Sequence, residues 1–164
     1  MLIKCEAMAK STLDRLRAGR EQMAERCQEV ARALVGEAGV TDCMFHDKGL
    51  RGRAWPRERR ILVPRPTTRR RLYVLAHECG HVALGDIKPV YRGEYLAEMY
   101  AHKALRRHGI AIPREATISA KKYVSLKIRR ALRRRVKEID SEVSDWCGDY
   151  LWEDLRRHFF RGPG

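Results

Sequence analysis

The stretch "YVLAHECGHVALGD", residues 73–86, decides how the chain is read. It places His77, Glu78 and His81 in the order H-E-x-x-H within an apolar run. On an α-helix, residues four apart lie one above the other on the same face. His77 and His81 can then offer two imidazole nitrogens to one zinc ion, at about 2 Å each. Glu78 follows His77 directly, so its carboxylate lies beside the ion, where it can take a proton from an activated water. Leu72, Leu75, Ala76, Cys79, Val82 and Ala83 supply apolar packing around that face. Cys79 is two positions from each histidine and is expected to turn into the core. Gly80 allows a close neighbour. Two buried histidines and a buried glutamate with no common partner would be costly, and a metal ion removes that cost.

Upstream, "RERRILVP" (57–64) reads as a strand centred on Ile61, Leu62 and Val63 and closed by Pro64. "VTDCMFH" (40–46) reads as another strand. "DKGLRGRAW" (47–55) carries two glycines and reads as a hairpin turn leading into a short strand. Thr67 or Thr68 is expected to cap the motif helix, and Gly85 to end it after Leu84. Residues 11–38 form an amphipathic helix pattern, with Ser11 or Thr12 as cap, Asp14 in the first turn, and Leu13, Leu16, Met23, Cys27, Val30, Ala31 and Leu34 as its stripe. A second helix is expected from Gly93–Glu94 to Gly109. A last helical region covers 114–159, in two pieces near Gly148, before the frayed tail "RGPG". The order of these elements predicts an α+β fold with helices against one face of a sheet of about three strands.

A catalytic zinc takes three protein ligands and keeps one position open. Asp86, Glu94, Glu98, His102 and His108 are the downstream candidates. The metzincin spacing fails, because Leu84 and Ile87 stand where its glycine and third ligand belong. Glu94 and Glu98 are one helical turn apart, and His102 continues their face.

"ILVPRPTTRRRLYVLAHECGHVALGD" followed by "EYLAEMYA" resembles the ImmA/IrrE family of HExxH metallopeptidases. In that family an apolar strand leads by a short loop into a helix of the type "LAHELGH", and a later helix reads E-x-x-A-[DN]-x-[FW]-A. Leu75, Ala76, His77, Glu78, Gly80 and His81 match the first pattern; Glu94, Ala97 and Ala101 follow the second, with Tyr100 at its aromatic position. The resemblance covers about residues 40–105. It implies a minimal zincin-like core, with His77, His81 and Glu94 as zinc ligands and Glu78 as general base. Glu98 stands where the family has Asp or Asn, which implies a residue that orients a ligand or an alternative ligand. An oxyanion-stabilising group is unassigned among Tyr73, Tyr95, His102 and His108.

The chain has 164 residues and a formal net charge of +14, which favours an acidic partner such as nucleic acid. Residues 121–137 contain no acid. Lys127, Arg129, Arg130, Arg133, Arg134, Arg135 and Lys137 are candidate nucleic-acid contacts. Val124, Ile128, Ala131 or Leu132, Val136, Ile139, Val143 and Trp146 form an apolar stripe along the same region. The aromatic end, with Trp146, Tyr150, Trp152, Phe159 and Phe160, is expected to pack on the core. Five scattered cysteines form no C-x-x-C pair, which suits reduced thiols and a cytoplasmic setting. "MLIKCEAMAK" does not read as a signal peptide, and no apolar run is long enough to span a bilayer, so no membrane partner is expected.

The expected organisation is therefore a zincin-like core over 1–113 and a basic helical extension over 114–164 packed on it. The expected function is a zinc-dependent endopeptidase acting on a specific protein substrate, by analogy a DNA-associated regulator. The alternative is a nucleic-acid- or protein-binding module acting through the basic helix, with a structural or idle metal site.

Overall fold

A computed structural model describes residues 2–159, with side chains over 12–158. The elements are α1 (Leu2–Glu37), β1 (Asp42–His46), β2 (Arg53–Trp55), β3 (Arg60–Pro64), α2 (Arg69–Leu84), α3 (Val90–Arg107), α4 (Arg114–Arg133), α5 (Ser141–Cys147) and α6 (Asp149–Phe159). The fold is α+β, with a three-stranded mixed sheet among the described residues.

β3 takes the centre of the sheet because it is the most apolar of the three strands. Ile61 and Val63 are fully buried, and Leu62 between them is half-buried, which is the period-two pattern of a strand. β1 pairs with it in parallel, from Asp42 opposite Arg60 to His46 opposite Pro64. β2 pairs on the other side, antiparallel, with Ala54 opposite Ile61. The hairpin is thus between β2 and β3, closed by Arg59 N–H donating to Pro56 O at 3.1 Å. The glycine-containing segment 47–52 carries the chain across from β1 to β2 and is not a hairpin turn between paired strands. β2 is left as an edge.

α1 begins at Leu2, well before residue 11. "MLIKCEAMAK" holds no glycine or proline to stop a helix, so Ser11 and Thr12 lie inside it rather than at its cap. Its apolar stripe meets the core only in the later half: Cys27, Val30, Ala31 and Leu34 are buried, while Leu13 and Leu16 are 55% and 56% exposed.

The α2 cap is Thr68, whose side chain accepts from Arg71 N at 3.3 Å. Gly85 ends the helix at φ +74, a conformation that favours glycine. α3 starts at Val90, ahead of the expected Gly93–Glu94.

The C-terminal region is three helices, not two. Gly148 makes the expected break, but the chain also leaves the helix over 134–140, where Arg135 takes φ +64. Tertiary contacts fix that second break. Asp140 N donates to the Tyr91 hydroxyl at 3.3 Å, and the Asp140 carboxylate pairs with Arg92 at 3.0 Å, so the start of α3 holds the start of α5.

Two apolar clusters share α3. One joins α1, the sheet, α2 and the inner face of α3, through Leu34, Ile61, Val63, Leu72, Leu75 and Leu105. The other covers Tyr91 and Tyr95 of α3 with Val124, Ile128, Val143, Cys147 and Leu151 of the last three helices. Trp146 sits edge-on to Tyr95 with ring centroids 5.5 Å apart. Trp152, expected in the core, is 56% exposed; Phe160 and the side chain of Phe159 lie outside the described residues. Ala116 of α4 belongs to the first cluster, so the C-terminal helices are continuous with the core at residue 114. Among the described residues no helix is long and apolar enough to cross a membrane.

Candidate metal centre

α2 buries Leu72, Leu75, Ala76 and Cys79 completely on its core side. The opposite side turns His77 and His81 towards α3. Cys79 therefore points away from the ligand side, and burial pushes its thiol pKa well up. α2 and α3 approach closely because Gly80 has no side chain. A Cβ there would lie 3.0 Å from both the Cα and the carbonyl oxygen of Ala97. Ala97 stands one turn after Glu94 and next to Glu98, so this crossing brings both carboxylates to the histidines.

His77 Nε2 and His81 Nε2 are 3.1 Å apart. Glu94 Oε2 lies 3.4 Å from each. All three residues belong to a group whose ligand atoms fall within 4.8 Å of one another. A four-coordinate ion with bonds of about 2.0–2.1 Å separates its ligand atoms by about 3.3 Å. The observed triangle has that size, and its nitrogens face each other across it. Two imidazoles and a carboxylate fit a metal ion.

The surrounding charge fits too. Glu78, Glu94 and Glu98 are all buried. Burial raises the Glu78 pKa. Burial would also raise that of Glu94, but hydrogen bonds from His77, His81 and Lys127 outweigh it and hold the carboxyl well below its usual range. Burial would lower the His77 pKa, and Glu94 and Glu98 override it upward. Three buried carboxylates, with Lys127 on one of them, make an acidic surround for the two imidazoles that suits a cation.

Glu98 is not in the triangle. Its Oε1 lies 3.0 Å from His77 Nδ1, the nitrogen remote from the triangle. Its other oxygen accepts a hydrogen bond from the Tyr73 hydroxyl. That hydroxyl also lies 3.0 Å from His102 Nε2. Glu98 thus stands at the far nitrogen of the His77 ring, where a ring-orienting residue would stand, and outside the triangle.

Glu78 lines a cavity of about 660 Å³ together with His77, His81, Glu94 and Glu98. A Cβ at Gly52 would run into the Glu78 carboxylate, so any other residue there must displace that side chain. The cavity is bounded by Leu50, Arg51, Gly52 and Ala54 beside the β2 edge, by Tyr73 and Val74 of α2, and by Ala116, Ser119, Ala120 and Tyr123 of α4.

The other candidates separate. Asp86 lies on the cavity wall and pairs with Arg57 at 3.3 Å. His108 bonds Glu37 at 3.0 Å, and Tyr95 donates to Glu142 at 2.9 Å, both away from the cavity. Of the basic residues, Lys127 and Arg129 turn inward. Lys127 Nζ is 2.9 Å from Glu94 Oε1, and Arg129 Nε is 2.8 Å from Asp154 Oδ2. Both are thereby removed from the proposed nucleic-acid surface. Arg130, Arg133, Arg134, Arg135 and Lys137 are exposed near the end of α4.

Sequence reasoning took Lys127 as a nucleic-acid contact and missed it, with Gly52, as a neighbour of the candidate metal centre. Lys127 had a signal: it lies three residues after Val124 and four before Ala131, on the flank of the apolar stripe. Gly52 had none beyond its place in a loop. Comparison with known protein families, with characterised proteins and with solved structures finds no match.

Proposed function

We propose that the chain is a zinc-dependent endopeptidase of the ImmA/IrrE type, cleaving a protein substrate. The observation that carries this reading is the triangle of His77 Nε2, His81 Nε2 and Glu94 Oε2 at 3.1–3.4 Å, with Glu78 beside it at the wall of an open cavity. Zinc, when bound, supplies Lewis acidity that polarises a scissile carbonyl and acidifies a water at neutral pH.

The chain's own residues do the rest. Glu78 takes the proton of the attacking water on its carboxylate and hands it to the leaving amine. Gly52 leaves room for that carboxylate. Glu98 and Tyr73 fix the His77 ring, so that Nε2 is the nitrogen presented to the ligand triangle. The unpaired edge of β2 lies beside the cavity and offers backbone groups to an extended peptide. The Tyr73 hydroxyl proton is taken by Glu98, which leaves Tyr123 as the cavity-lining tyrosine to meet a developing oxyanion.

The test is digestion of a protein-derived peptide library by the full chain, with new termini read by mass spectrometry. The wild-type protein should generate new termini, and Glu78→Gln should bind zinc as tightly yet generate none. Equal cleavage by both would remove Glu78 from the mechanism.

A second reading has its own observation. Arg130, Arg134, Arg135 and Lys137 are exposed around the turn after α4, on a chain of net charge +14. They support a nucleic-acid contact through the phosphate backbone, either alone or as a means of bringing the enzyme to a DNA-bound substrate.

A further inference from the structure

Lys127 is the link between the C-terminal helices and the metal-ligand triangle. The two oxygens of Glu94 have different partners. Oε2 faces His77 and His81 at 3.4 Å, and Oε1 faces Lys127 Nζ at 2.9 Å. The lysine is not a mobile surface cation. Its side chain is 18% exposed, and Val124 and Ile128 on either side of it are fully buried against α3, the helix that carries Glu94. Its ammonium also lies 4.6 Å from the centre of the Tyr123 ring.

We propose that Lys127 is a positioning residue of the metal centre, holding Glu94 to ligation through one oxygen. This rests on the metal-centre reading above. A free carboxylate can chelate an ion through both oxygens and so fill a position that a substrate needs. With Oε1 held by a charge-assisted hydrogen bond, only Oε2 remains for the ion. The metal centre is then complete only when α4 is docked, and the region from residue 114 onwards is part of the site rather than an appendage.

The experiment uses the full chain, stripped with a chelator and reloaded with zinc or with cobalt. Zinc affinity is read by competition with a chromophoric chelator. Cobalt coordination is read from its visible absorption, which is stronger for four ligands than for five. Folding is followed by circular dichroism and thermal melting. Lys127→Met, which removes a cation beside the site and frees Glu94 Oε1 to chelate, should bind zinc about tenfold or more tightly. Its cobalt bands should weaken as Glu94 becomes two-toothed. Lys127→Arg should restore both readouts in part, and Lys122→Met, an exposed lysine on the same helix, should match the wild type. Lys127→Gln, which keeps a donor, stands in if Lys127→Met does not fold, with the same direction of change expected. Metal binding by the wild type with unchanged affinity and spectrum in the folded variant would overturn this inference alone. A wild-type chain that binds no metal would overturn it together with the reading on which it rests.

Discussion

Gly80 of α2 meets Ala97 of α3 backbone to backbone, so closely that a Cβ on Gly80 would stand 3.0 Å from the Ala97 Cα and carbonyl oxygen and force them to give by a few tenths of an ångström. This contact sets the spacing at which Glu94 and Glu98 reach the histidines. Gly80→Ala must push the helices apart against their packing. It is expected to cost about 1–3 kcal/mol and to weaken zinc binding as well. Thermal melting and chelator competition check it; a variant with unchanged zinc affinity would show that this crossing does not position the ligands.

Gly52 is expected to matter for catalysis and not for metal. The three atoms nearest to a Cβ at Gly52 all belong to Glu78, so Gly52→Ala displaces that carboxylate first. The variant should fold, hold zinc near wild-type affinity, and lose at least about tenfold in peptide hydrolysis, a fraction of the usual contribution of a general base. Parallel loss of zinc and activity would place Gly52 in the ligand framework instead.

Glu94 and Glu98 are expected to differ sharply. Glu94→Ala removes an atom of the triangle and should abolish stable zinc binding. Glu98→Ala leaves the triangle whole and frees the His77 ring, which should weaken binding about 10- to 100-fold. Tyr73→Phe, which removes the hydrogen bond to Glu98, should follow Glu98→Ala in direction with a smaller effect. Equilibrium dialysis with zinc ranks the three, and a Glu98 variant worse than the Glu94 variant would exchange their roles.

Cys43 is half-buried, and burial together with the charge of Asp42 raises its thiol pKa to about 11. Raising the pKa reduces the reactive thiolate at a given pH. At pH 8 the thiolate is then about one part in a thousand, growing about tenfold per pH unit up to the pKa. Alkylation of Cys43 followed by peptide mapping should be slow in the native protein, rise with pH, and become fast on denaturation. Fast native labelling at pH 7 would contradict the packing of β1.

The basic turn is expected to bind DNA through phosphates. Retention on heparin should fall steeply with salt, and replacing Arg130, Arg134 and Arg135 by serine should flatten that fall. Replacing Lys127 should not be part of that effect, since its charge is spent on Glu94. Absence of retention at low salt would leave the exposed arginines as a solvated face.

The motif helix was legible because its information is local. His77 and His81 fall on one face by helical period alone, and Thr68 and Gly85 bound the helix with caps of known chemistry. The β3 strand was legible for the same reason, from Ile61, Leu62 and Val63. What escaped was non-local. The break at 134–140 has no glycine or proline to announce it; it follows from Tyr91 and Arg92 holding Asp140. The pairing of β1 with β3 rather than β2 depends on which strand is buried on both edges. Lys127 read as one cation in a basic run, and only the packing of Val124 and Ile128 on α3 turns it to Glu94.

The most direct single measurement is metal content by mass spectrometry on gently purified, tag-free protein, with Glu94→Ala prepared alongside. The wild type should carry close to one zinc per chain, and the variant should carry almost none. A wild-type chain that holds no zinc, even after zinc is supplied, would contradict the metal centre and the hydrolytic function built on it.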